Sequence, residues 1–111
     1  MKGGRGGSVK RTTDAMRRGL SRAVLDLRTR MRWGQEDLAK EITKTAARMR
    51  VAITPNRTCV SRWENGDAAP SSEHRMVLAK IAAKHGHEDI AELFRAPVSA
   101  WRLVGRMRDE Q

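Results

Sequence analysis

The chain has 111 residues, room for one domain but not for two with separate cores. Its 23 lysines and arginines against 13 aspartates and glutamates give a formal charge of +10, which points to a polyanionic partner before any motif is read. An apolar content of 39% with one Phe and no Tyr suits a small packed core and argues against an aromatic-rich β-sandwich. A single cysteine leaves no intrachain disulfide and no multi-cysteine zinc site. No apolar run approaches the ~20 residues that span a bilayer. The basic N-terminus is followed by no apolar secretory segment, so the expected compartment is the cytoplasm, with no membrane partner.

Charge is uneven along the chain. Residues 1–34 carry ten basic side chains against Asp14 and Asp26, which is +8 of the total, whereas residues 67–96 carry four basic and five acidic ones. Residues 1–12, MKGGRGGSVKRT, hold four glycines and one large aliphatic side chain, Val9. Such a segment buries too little apolar area to offset its ordering entropy, so it reads as a flexible basic arm. Arg5, Lys10 and Arg11 are its expected DNA-backbone contacts; a solvated tail is the plain alternative.

From residue 13 to 96 the pattern is helical. Met16, Leu20, Val24, Leu27 and Met31 recur on one helix face, with a start at Thr13-Asp14 or, given Gly19, near Ser21. Trp33-Gly34 breaks this helix. A second begins at Gln35-Glu36-Asp37, and Leu38, Ile42, Ala46, Met49 and Ile53 continue its stripe up to Pro55. A third runs from about Asn56 to Asn65 and stops at Gly66, with either Thr54 or Asn56 as its cap. Ser71 or Ser72 caps a fourth that turns Met76, Leu78, Ala79, Ile81 and Ala82 inward and ends at Gly86. A short fifth covers Ile90 to Phe94. Residues 97–111 form a further amphipathic segment, with Val98, Trp101, Val104 and Met107 at every third position. No strand pattern competes, so the expected class is all-α.

The third helix divides into two sides. Val60 and Trp63 can face a core, whereas Asn56, Arg57, Thr58, Ser61 and Arg62 offer donors and acceptors outward. A major groove about 12 Å wide admits a helix that carries short polar and basic residues against base edges.

At these residues a resemblance emerges. Leu27-Arg28, then Trp33-Gly34-Gln35-Glu36-Asp37-Leu38-Ala39, then Val60-Ser61-Arg62-Trp63-Glu64-Asn65-Gly66, then Pro70-Ser71 and Leu78-Ala79, resemble the lambda repressor/Cro-like helix-turn-helix family over roughly residues 22–95. The resemblance implies a five-helix domain whose third helix enters the major groove of double-stranded DNA, and members usually regulate transcription as dimers. It places Asn56 at the start of the recognition helix, Arg57, Thr58 and Arg62 at base-contacting positions, and Gln35 and Asn65 at backbone-contacting ones. It makes Arg28 and Glu64 a structural ion pair. Gln35 and Trp63 stand 28 positions apart, longer than in the family's compact form, and the extra stretch at about Ile42 to Ile53 keeps helical periodicity. A lengthened helix 2 with a longer turn is therefore expected.

Plainer roles suit the remaining singular residues. Trp33 and Trp63 fit a core better than a base-stacking platform. Cys59 fits an inert thiol better than a redox switch. His85 and His87 flank a helix junction and need no metal to explain them. Glu36 and Asp37 are first-turn acids rather than a catalytic pair, and neither a nucleophile triad nor a phosphate loop is present. The expected function is a sequence-specific DNA-binding regulator, a repressor or autoregulator, with no enzymatic activity, cofactor or metal. It would bind an inverted-repeat operator as a homodimer through Trp101 and Val104, because a lone apolar stripe of that length must pack on something. Folding back onto helices 1 and 5 is the alternative for that stripe. A protein-binding adaptor, such as an antitoxin or polymerase accessory factor, is the alternative function, and a nonspecific nucleic-acid chaperone driven by the arm is a third.

Overall fold

The computed structural model describes the backbone of residues 2–96 and the side chains of residues 15–96. The C-terminal segment 97–111, with Trp101 and Val104, and the side chains of Arg5, Lys10 and Arg11 lie outside the described residues. Five helices follow one another: α1 (Lys2–Met31), α2 (Gln35–Arg48), α3 (Arg57–Glu64), α4 (Ser72–Lys84) and α5 (Glu88–Arg95). Among the described residues there is no strand, and no helix is long and apolar enough to cross a membrane. The class is all-α.

One apolar core holds the helices together. Leu20, Val24 and Leu27 of α1 meet Leu38 and Ile42 of α2, Val60 and Trp63 of α3, Val77, Leu78 and Ile81 of α4, and Ile90 and Phe94 of α5. The principal contacts close a ring, in which α3 lies against α1 and α2, α4 against α2 and α5, and α5 returns to α1. Each fully buried Leu, Ile, Val or Phe contributes about 1.5–3 kcal/mol. Arg30 and Asp89 fasten α1 to α5 at the surface through paired bonds of 3.0 and 2.9 Å.

Four of the helices end in the same way. The N–H two positions past each C-cap bonds back five residues, and the N–H one position past it bonds back three. These pairs are Trp33 to Arg28 with Arg32 to Thr29, Val51 to Ala46 with Arg50 to Ala47, Asp67 to Arg62 with Gly66 to Trp63, and His87 to Ala82 with Gly86 to Ala83. The closing residue takes a left-handed conformation each time. Gly66 and Gly86 do so freely, whereas Arg32 (φ 58°) and Arg50 (φ 60°) carry a Cβ there.

Several expectations are corrected. The backbone of α1 is helical from Lys2, so Thr13 and Asp14 lie inside the helix rather than at its start; a helix nucleated on the core extends at one hydrogen bond per added residue. Helix α2 is not lengthened to Ile53. Of the extra stretch, Ile42 to Arg48 is helical and α2 closes there, with Met49 as its C-cap; only residues 51–55 form an extended connection. Val51, Ile53 and Pro55 turn inward there and Arg50, Ala52 and Thr54 outward, so Ile53 reaches the core from a strand-like stretch. In α4 Val77 is buried, while Met76 is 48% exposed. The run Met76-Val77-Leu78-Ala79 is apolar throughout, and rotation by one position decides which edge faces water.

Candidate nucleic-acid interface

Asn56, and not Thr54, caps α3: its side-chain oxygen accepts the Cys59 N–H at 3.0 Å. Pro55 precedes the cap and is buried, so it ends the connection rather than opening the helix. From this start Arg57, Thr58, Ser61, Arg62 and Asn65 fall on one arc of about 140° at 3.6 residues per turn. Arg57, Thr58, Arg62 and Asn65 are exposed and Ser61 is partly so, while Val60 and Trp63 on the other side are buried. The expected outward and inward faces are both realised.

The last turn of α3 is fixed by Glu64. Arg28 donates to both of its carboxylate oxygens, from Nε at 2.6 Å and from the terminal nitrogen at 2.9 Å. The third Arg28 nitrogen, the other terminal one, donates to the Trp33 carbonyl at 3.2 Å. Gln35 donates its side-chain N–H to Glu64 at 3.1 Å, and Ser21 donates its hydroxyl to the Glu64 backbone carbonyl at 2.5 Å. The Glu64 side chain is only 8% exposed and that of Arg28 23%. The hydrogen bond to Glu64 raises the Arg28 guanidinium further above its already high pKa, against a smaller desolvation cost. Three helices thus converge on one carboxylate. Gln35 stands at the N-terminus of α2, where Asp37 accepts the Gly34 N–H at 2.9 Å, and its amide braces Glu64 rather than pointing free into solvent.

Two further cationic features flank α3. On the α2 side, Lys40 and Lys44 line a hollow of about 390 Å³ with Asn56 and Arg57. On the α1 side, Arg18 and Arg22 line another of about 720 Å³ with Asn65. Lys40 approaches Glu36 at 3.9 Å and Arg22 approaches Asp26 at 3.6 Å, both loosely. Among the described residues Lys44, Arg18, Arg57 and Arg62 have no acidic partner within salt-bridge distance. Sequence reasoning missed Lys40, Lys44, Arg18 and Ser21. The four-residue spacing of Lys40 and Lys44 was a signal for one cationic helix face. Ser21 gave no signal, because its partner is a backbone carbonyl 43 positions away.

Trp33 and Trp63 are packed, not presented. Trp63 is 4% exposed and meets His74 edge-on at 5.0 Å; Trp33, half-buried, meets His85 edge-on at 5.7 Å. Cys59 is a half-buried free thiol. No family model, curated protein or solved structure matches this chain.

Proposed function

We propose that this protein is a sequence-specific double-stranded-DNA-binding transcriptional regulator, a repressor or autoregulator, that lays α3 in the major groove. The observation that carries the reading is the outward arc of α3. Arg57, Thr58, Ser61 and Arg62 stand free of acidic partners among the described residues, on a helix whose two ends are fixed by Asn56 and Glu64. An eight-residue helix is about 12 Å long, which suits one segment of a groove about 12 Å wide. Arginine on such a helix supplies the bidentate fork that guanine accepts.

The flanking cations suit the two phosphate strands. Lys40 and Lys44 on one side, and Arg18 with Asn65 on the other, would hold the backbone while α3 reads bases. The N-terminal excess of positive charge adds long-range steering. The agreement of this arrangement with the lambda repressor/Cro-like resemblance supports the reading. Two copies on an inverted repeat would double the contacts of one helix and set the half-sites about one helical turn apart.

Selection of bound duplexes from a random pool tests the proposal. Enrichment of a short motif, repeated with inverted symmetry, is the expected result. Tight binding without enrichment would overturn sequence specificity, and no binding at low salt would overturn the DNA reading itself.

A further inference from the structure

We propose that the groove between α4 and α5 is the dock for this chain's own C-terminal stripe, Val98, Trp101, Val104 and Met107. The groove lies away from α3. Met49, Met76, Ala79 and Phe94 supply its apolar surface, and it encloses about 560 Å³. Met76 is 48% exposed, an unusual position for a large apolar side chain that lines a concave surface.

Three observations select this occupant. First, Ala96 is part of the groove wall and Pro97 is the next residue, so the stripe begins where the groove does. A segment tethered so closely sees the groove at an effective concentration of about the millimolar range, which a second copy does not reach in dilute solution. Ala96 is extended, with φ −59° and ψ 133°, and the proline after it stops α5 and suits the second position of a reversing turn. Secondly, the stripe is apolar at every third position and too short to persist as an isolated helix in water, so it needs a surface such as this one. Thirdly, the polar rim is complementary in charge to the end of the chain. Arg75 and Lys80 line the groove, and Asp109 and Glu110 come just after Met107. The Nε of Arg75 is buried and has no hydrogen-bond partner among the described residues.

This assignment gives the stripe to its own chain instead of to a two-fold contact. It does not depend on DNA binding, and its test contains no DNA. Limited trypsin digestion of the full chain, with the released C-terminal peptides followed by mass spectrometry, reads cleavage after Arg102 and Arg106. Met76→Glu should speed that cleavage about tenfold, since it places a charge against the docked stripe. Trp101→Ser, which leaves the groove untouched, should do the same. Rates equal to wild type in both variants would overturn the proposal. So would protection of the wild type that disappears on about a hundredfold dilution, because that marks docking into a second copy.

Discussion

Arg28 grips the Glu64 carboxylate with two hydrogen bonds of 2.6 and 2.9 Å and thereby ties α1 to the last turn of α3. The pair is largely withdrawn from water, and Gln35 and Ser21 bond to the same residue, so the orientation of α3 depends on groups from two other helices. Glu64→Ala leaves the Arg28 guanidinium half-buried without its counter-ion. Breaking one side of a buried pair costs about 3–5 kcal/mol, and the 23% exposure of Arg28 puts this case at the lower end. Calorimetry should show Tm falling on the order of 10–20 °C. An unchanged Tm would show that the pair does not hold the fold.

The cap of α3 separates two residues that the sequence leaves equivalent. Asn56→Ala should destabilise the protein by about 1 kcal/mol, because the Cys59 N–H loses its acceptor. Asn56→Asp should retain most of that stability, and Thr54→Ala should change it little. Denaturant titration of the three variants checks the order.

Arg50 closes α2 in a left-handed conformation, φ 60°, where a Cβ is strained. Arg50→Gly should therefore stabilise the protein by about 0.5–1 kcal/mol, even though glycine usually weakens a chain. A lower denaturation midpoint in this variant would mean that the arginine side chain offsets the strain.

His74 sits edge-on against Trp63 with its Nδ1 2.7 Å from the Ser71 hydroxyl. Burial holds its pKa below the ordinary 6.5, while the nearby Glu73 pulls less strongly the other way. The unfolded chain therefore binds this proton more readily than the folded one. The stability from a neutral His74 is complete above pH 6.5 and is lost as pH falls through 6.5 toward the lower folded value. Unfolding midpoints measured across this window should decline less in His74→Gln than in the wild type.

Arg57 and Lys44 line one hollow but should behave differently on DNA. Under the proposed function, Arg57→Ala removes about 1–3 kcal/mol of discrimination at one base position per half-site. Lys44→Ala should weaken all sequences alike and reduce the log–log salt slope by about 0.9. Competition binding with single-base operator variants, repeated at several salt concentrations, distinguishes them. A uniform loss in Arg57→Ala would make that residue a phosphate contact.

Local sequence alone specifies where apolar stripes and stop signals lie. Leu20, Val24 and Leu27, the start of α2 at Gln35, a serine cap at Ser71 or Ser72 and the glycine stops at Gly66 and Gly86 all arise from 3.6-residue periodicity and local hydrogen-bond chemistry. The two faces of α3 were legible for the same reason, and Arg28 with Glu64 was legible through the family resemblance. The path between α2 and α3 was settled only by packing in three dimensions. Ile53 keeps the helical spacing, yet it meets the core from an extended segment, because core contact depends on position in space and not on the conformation that delivers it. The end of α2 was hidden because an arginine, Arg50, takes the conformation that sequence patterns associate with glycine. The choice of Asn56 over Thr54, and of Val77 over Met76, rests on differences of one or two positions. There the local pattern is degenerate, and the packing of neighbouring helices selects the register.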